Sequence, residues 1–217
     1  MKATWLGHSV VKLEGSKTVL IDPFITGNPK CPIKLSELGK VDFVAVTHSH
    51  GDHLGDAYEI CKKTGATLIS CAEIAEDASK HGVKSIGMNI GGSVKCDNVA
   101  FNMVNAVHSS PIGCACGFVI YMDGKRIYHA GDTALTMDMK LIGTFFEPDL
   151  SFLPIGDKYT MGMLSAIKAV EYTKTKKVIP IHYNTFPGIE AKPDVFKEMV
   201  GSRAEVLLIS PGEAYEL

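Results

Sequence analysis

The chain has 217 residues, 46% of them hydrophobic and 21% charged, with a formal net charge of −2. That is enough apolar material for a sizeable core, and the even charge balance without a basic block gives no footprint for nucleic acid. No apolar run reaches membrane-spanning length, and Met1-Lys2-Ala3-Thr4-Trp5 lacks the apolar core of a signal peptide. A cytoplasmic protein with a single domain over residues 1–217 is therefore expected.

Three short strands are predicted first, at 3–6, 10–14 and 18–21, separated by glycine turns. Asp22-Pro23-Phe24 ends the third, because proline cannot continue a hydrogen-bonded ladder. A proline- and glycine-containing segment to residue 41 is long for a structureless loop, and such loops often cover binding sites. Residues 43–46 are all apolar, the pattern of a strand buried on both faces. Leu54, Ala57 and Cys61 repeat at helical spacing up to Gly65, with a strand following at 67–70. A helix at 73–80, ended by His81-Gly82, precedes strands at 83–86, 93–95, 99–104, 117–121 and 126–129. Asp123-Gly124 makes the last two a hairpin. Mixed structure returns with a helix at 138–142, a strand at 150–153 and a helical face of Met163, Ala166, Ile167 and Val170. A buried strand at 178–181, a helix at 193–200 and a final strand at 206–209 complete the chain. Grouped strands with intervening helices suggest two sheets carrying helices on their outer faces.

The chemistry concentrates in His48-Ser49-His50-Gly51-Asp52-His53, where six residues hold four metal-capable side chains. Imidazoles and a carboxylate packed this closely are good ligands for a borderline divalent cation. Alternate residues of an extended segment point apart, so His48 and His50 need a bent loop to converge, while Asp52 and His53 reach toward a second ion. Three more candidates, His108, Asp132 and His182, each follow a predicted strand, where α/β folds gather functional groups. Five histidines and two aspartates make seven ligands, enough for two ions if one carboxylate bridges. A polar turn that is merely rich in histidine is the bland alternative.

The remaining candidates divide by context. His81 beside Gly82 reads as a helix-end or surface charge. His129 is either a partner that orients a ligand or an ordinary hydrogen-bonded strand histidine. His8, at a turn between the first two strands, ranks above it as an active-site residue but not as a ligand. Asp22 either caps its turn or accepts a hydrogen bond from a ligand. Ser9 and Ser49 read as turn residues. The six cysteines, at 31, 61, 71, 96, 114 and 116, are expected to be reduced. Cys114-Ala115-Cys116 reads as packing near a glycine turn, with a soft-metal or redox site the lesser reading.

His48-x-His50-x-Asp52-His53 followed by His108, Asp132 and His182 resembles the metal-binding pattern of the metallo-β-lactamase superfamily over the whole chain. Trp5-Leu6-Gly7-His8-Ser9, His129-Ala130-Gly131-Asp132-Thr133 and Pro180-Ile181-His182-Tyr183-Asn184-Thr185-Phe186 narrow the resemblance to small metal-dependent hydrolases. The better-known relatives of that branch are ascorbate-6-phosphate lactonase and N-acylphosphatidylethanolamine-hydrolysing phospholipase D. The resemblance implies a four-layer αββα sandwich, an α/β fold with both metals at one edge between two mixed sheets. It implies that His48, His50 and His108 hold the first metal, Asp52, His53 and His182 the second, and that Asp132 bridges. The histidine at position 53 departs from true β-lactamases of this fold, which usually carry another residue there. Relatives commonly form homo-oligomers, though no interface stripe is legible.

Such a centre predicts hydrolysis of an ester-type bond, a lactone or a phosphodiester, in a small-molecule substrate. Two cations about 3.5–4 Å apart share a water and lower its pKa from 15.7 toward roughly 7, supplying hydroxide at neutral pH. Asp52 is the candidate catalytic group, orienting that hydroxide and taking up a proton. Zinc is the first choice of metal, and the ligand set also accepts manganese or iron. The rivals are an iron-dependent oxidoreductase such as a sulfur dioxygenase and a nonenzymatic metal-binding module. No partner nucleic acid and no membrane span are expected.

Overall fold

A computed structural model describes residues 1–217. Its strands form two seven-stranded mixed sheets with helices packed outside them. The first half supplies β1 (Lys2–Trp5), β2 (Val11–Glu14), β3 (Thr18–Ile21), β4 (Phe43–Ala45), β5 (Thr67–Cys71) and β6 (Ser85–Met88), hydrogen-bonded in sequence order. Helices α1 (Gly51–Leu54), α2 (Ala57–Thr64) and α3 (Ala72–Lys80) alternate with the parallel strands β4, β5 and β6. The second sheet begins with the antiparallel strands β7 (Ser93–Cys96), β8 (Val99–Asn105), β9 (Cys116–Met122) and β10 (Lys125–His129). It continues with the parallel strands β11 (Leu150–Pro154), β12 (Lys177–Ile181) and β13 (Glu205–Val206); α4 (Asp138–Phe145) precedes β11, and α5 (Met163–Thr173) and α6 (Pro193–Val200) fill the two intervals that follow. This is the expected αββα sandwich.

Strand periodicity explains how one sheet serves two cores. Successive side chains leave a strand on opposite faces. Phe118 and Ile120 of β9 accordingly join the large cluster that includes Leu13, Leu20, Val44 and Ile69 of the other sheet. Val119 between them joins a second cluster with Ala166, Val170 and Phe196 of the outer helices. Strands β11 and β12 repeat the division, with Phe152 and Ile179 in the first cluster and Leu153 and Val178 in the second. Burying both faces is why these strands read as unbroken apolar runs rather than alternating ones. Each fully buried Phe or Leu contributes roughly 1.5–3 kcal/mol relative to exposure.

Three expectations need correction. The helical pattern through Leu54, Ala57 and Cys61 is two helices, because Gly55 at φ 43 breaks it. A Cβ there would lie 2.6 Å from the carbonyl oxygen of Pro23, so glycine is what lets the two segments pack. The strand expected at 83–86 starts at Ser85, since Val83 N–H closes the preceding helix onto Ala78 O at 3.0 Å. The strand expected at 206–209 covers only Glu205–Val206. From there the chain crosses to the other sheet, where β14 (Ala214–Glu216) pairs antiparallel with β1. Its residues are half-buried or exposed, so no apolar alternation announces it.

Candidate metal centre

The strand ends converge at one edge of the sandwich. Beyond β4, Val46 N–H still bonds Ile69 O, after which Thr47-His48-Ser49-His50 bends and His50 becomes the N-cap of α1. Asp52 and His53 fall in the first turn of α1, so the loop and helix together aim the cluster inward. His108, Asp132 and His182 follow β8, β10 and β12. Gly131 makes the turn after β10, at φ 60, where a Cβ would meet Cys116 O at 2.7 Å. Three non-glycine residues of the site, His8, Asp22 and His182, also hold positive φ, at 54, 47 and 53. Backbone strain of this kind, about 1–3 kcal/mol each, persists only where surrounding contacts impose it. Here the His8 carbonyl accepts from Trp5 Nε1 (2.9 Å) and from His182 N–H (3.0 Å), pinning the two sheets' turns to each other.

The fold brings the seven predicted ligands together in overlapping groups. His48, His50 and His108 offer donor atoms that all lie within 4.8 Å of one another. Asp52, His53 and His182 form a second such group, which also includes His8. Asp132 stands between them. Its Oδ1 is 3.3 Å from His53 Nε2, and its Oδ2 is 3.1 Å from His182 Nε2 and 3.6 Å from His108 Nε2.

Hydrogen bonding behind the cluster fixes the ring orientations. Buried Asp22 accepts from Thr47 N–H (2.8 Å), the Thr47 hydroxyl (2.7 Å) and His53 Nδ1 (2.8 Å). With its proton given to Asp22, the Thr47 hydroxyl can only accept from His48 Nδ1, 3.0 Å away. One carboxylate thereby sets both rings with Nδ1–H outward and the Nε2 lone pair turned into the site. His48 Nε2, His53 Nε2 and Asp132 Oδ1 are buried there without a hydrogen-bond partner. Buried polar atoms are rarely left so, and three acceptors converging without a donor suit a cation. The donor set of imidazole and carboxylate fits a divalent ion of the zinc, manganese or iron type.

The electrostatics agree. Burial alone would lower His53, but the Asp132 and Asp22 carboxylates win and raise its pKa well above the ordinary value, so that without a cation a proton takes the Nε2 lone pair that a metal would otherwise use. Burial would likewise raise Asp132, yet the His53 and His182 rings beside it hold it well below the usual carboxylate range. The site therefore demands positive charge at this point. His48, by contrast, is pushed down to about 3 by burial and by the charge of His53.

His8 is not a bystander. Its Nε2 lies 3.0 Å from Asp52 Oδ2, and its Nδ1 lies 3.0 Å from Thr185 Oγ1. A carboxylate can only accept, so Nε2 donates and Nδ1 takes the Thr185 proton. Burial lowers the His8 pKa to about 4, against the opposing Asp52 hydrogen bond, so the ring is neutral at pH 7. His129 is the hydrogen-bonded strand histidine: Nε2 donates to Ser9 O (2.9 Å) and Nδ1 accepts from Gly131 N–H (3.2 Å), steadying the turn that carries Asp132. His81 is far from these groups, exposed and bonded to Asp77 O of its own helix. Ser49 accepts from Ile112 N–H at 2.7 Å, tying the cluster to the loop bearing His108. All six cysteines are free thiols.

The cluster opens into a cavity of about 380 Å³ whose remaining wall is Ser109, Tyr159, Phe186 and Ile189. The segment 24–40, whose length suggested a cover for a binding site, lines no part of it; Ser109 and Tyr159 come instead from the loops after β8 and β11. Phe24 acts only from behind, its ring 6.1 Å from that of Phe186. Sequence reasoning also missed Phe186, Ile189, Thr47 and Thr185. Thr47 had a local signal, a hydroxyl directly before the cluster. Thr185 and Phe186 stood in the motif around His182 with no role assigned to them, and Ile189 had no signal, because all three reach the site through the fold of residues 183–192.

A family signature described as "Beta-lactamase superfamily domain" matches residues 17–183. The chain is 48% identical to a UPF0173 metal-dependent hydrolase of Archaeoglobus fulgidus, covering 100% of this chain and 99% of the relative. It is 49% identical to a protein of the same description from Korarchaeum cryptofilum, covering 100% of both. Among solved structures it is similar to Igni18, a metallo hydrolase from Ignicoccus hospitalis. The TM-score is 0.95 and the identity 41%, covering 100% of this chain and 98% of that one.

Proposed function

This chain belongs to the beta-lactamase superfamily and is one of its metal-dependent hydrolases, and from that premise we propose that it splits an ester-type bond, a lactone or phosphodiester, at a centre of two divalent cations. His48, His50 and His108 would hold one cation and Asp52, His53 and His182 the other, with Asp132 placed between the two groups. The observation that carries this reading is the pair of donor groups meeting at Asp132, with buried acceptors turned toward one point and no donor among them. Zinc is the first choice, and manganese or iron would suit the same ligands. When bound, the cations supply Lewis acidity and a water of lowered pKa.

The chain's own groups do the positioning. Asp22 fixes the tautomers of His53 and, through Thr47, of His48. His8 donates to Oδ2 of Asp52, the oxygen that also lies 3.9 Å from Nε2 of His53 and of His182, and so fixes the carboxylate that would orient the attacking water and take up its proton. The whole chain, 1–217, acts as one hydrolase domain on a small molecule held against Tyr159, Phe186 and Ile189.

The test is elemental analysis of the purified protein, coupled to a screen of lactones, thioesters and phosphodiesters. Close to two equivalents of divalent metal with turnover of at least one ester class is expected. Full turnover by chelator-stripped protein would sink the mechanism, and oxygen consumption with a persulfide substrate would replace it with a redox one.

A further inference from the structure

Resting on that hydrolytic reading, we infer that the substrate is an uncharged carboxylic ester or lactone whose apolar flank packs on Phe186 and Ile189, and that no part of it is a phosphate. Four side chains complete the cavity around the metal-facing groups, Ser109, Tyr159, Phe186 and Ile189, and none is cationic. Phosphate recognition ordinarily uses arginine, lysine or a cluster of backbone amides, since an anion removed from water needs charge-assisted hydrogen bonds. A phosphodiester undergoing attack also carries charge on oxygens that two metals do not cover, and protein cations normally meet it. Here the rest of the wall is aromatic and aliphatic apart from Ser109, and the charged side chains lining the cavity besides the histidines are the carboxylates Asp52 and Asp132.

Lys158, next to Tyr159, does not supply the missing charge. Its Nζ sits over the Tyr159 ring, 4.9 Å from the centroid, and it lowers the pKa of exposed Glu190, after the hydrogen bonds that carboxylate takes from backbone N–H groups. Nor is it among the residues that line the cavity.

The apolar wall is firm rather than incidental. Phe186 packs against the rings of His8 (5.5 Å) and Phe24 (6.1 Å), and Ile189 is 2% exposed. Phe186 itself remains 38% exposed, with a face available to a flat neutral group. A cavity of about 380 Å³ is at the small end for ligand sites, which suits a single ring. Hydrolysis adds water across the acyl C–O bond: the carbonyl carbon gains the hydroxyl, the leaving oxygen gains a proton and no redox change occurs.

A matched pair of substrates tests the inference on the zinc-loaded full chain. Gluconolactone and its 6-phosphate contain the same scissile bond and differ only in the distal charge. The phosphate is expected to lower kcat/KM or leave it within about twofold; a gain of about tenfold or more would overturn the inference while leaving the hydrolytic reading intact. Turnover of bis(4-nitrophenyl) phosphate with none of any lactone would do the same. Dihydrocoumarin, a neutral aromatic lactone, is expected to be the better substrate. Phe186→Ala should lower its kcat/KM relative to that of gluconolactone by about tenfold, the scale of one lost apolar contact, with Phe186→Leu between. An unchanged ratio in both variants overturns the assigned wall. Inertness toward every lactone and diester would instead overturn the hydrolytic reading itself.

Discussion

Two cavities of this molecule have the same volume, about 380 Å³, and opposite character. One is the metal-facing cavity at the strand ends. The other lies between α4 and the β7–β8 hairpin, lined by Ile90, Met103, Leu141, Phe145 and Phe146 among others. Its amide and carboxylate side chains are already paired: Asn105 donates to Asp138 at 2.7 Å, and Asn102 donates to Val119 O at 3.0 Å. In the metal-facing cavity, buried acceptors converge without donors and three non-glycine residues carry strained backbone. Empty space therefore does not mark the chemistry. What marks it is polar capacity that the protein leaves unused in a place where leaving it unused is costly.

The largest effect that would sharpen this contrast is removal of a proposed ligand, either Asp132 between the two groups or His50 within one of them. Asp132→Ala, or His50→Ala, is expected to cut activity by roughly 10³-fold. Metal content should fall by about one equivalent per chain. Retained metal stoichiometry by elemental analysis would contradict the ligand assignment. Next comes the carboxylate behind the rings. Asp22→Asn should weaken metal affinity or activity by about 10–100-fold in a chelator competition, because the tautomers of His53 and His48 both depend on it.

Acid should distinguish the two regions in the metal-free protein. Folded His8 takes its proton near pH 4, held down by burial, whereas in the unfolded chain it does so near 6.5. Between those values the unfolded state binds more protons, so stability rises with pH and is lost as pH falls from 6.5 toward 4. The loss should be of order a few kcal/mol. His8→Gln should flatten the dependence of melting temperature on pH over that window. An equal slope in the variant would mean that His8 does not carry it.

The smallest effects belong to the other cavity. Leu141→Ser and Phe145→Ser, at side chains 56% and 74% exposed, should leave kcat/KM within about twofold, as should His81→Ala at the exposed end of α3. A severe loss at Leu141 or Phe145 would break the comparison, and one at His81 would show the ligand count to be wrong.

How far the sequence reached depends on the range of the interaction concerned. The His48–His53 cluster was legible because its members are neighbours, and the apolar runs of β4 and β12 because burial on both faces is written residue by residue. His108, Asp132 and His182 were legible only as residues that end strands. That the three meet His48, His50, Asp52 and His53 requires β8, β10 and β12 to share a sheet and that sheet to lie against the other. Gly55 was visible as a glycine, but not as a break between two helices, because the clash it avoids is with Pro23. Strand β14 was invisible for the same reason, since only its pairing with β1 makes it a strand.

By itself, then, the sequence determined the kind of chemistry this protein can support: metal-dependent hydrolysis, with five imidazoles and two carboxylates as the proposed ligands at the ends of apolar strands. Tertiary structure decided everything that depends on residues far apart in the chain. It made Asp22 and Thr47 set the rings of His48 and His53, turned His8 onto Asp52, and brought Phe186 and Ile189 into the cavity wall beside the cluster. The physical reason is that residue type and periodicity are local properties. Hydrogen-bond partners and cavity walls come from packing, which no local pattern records.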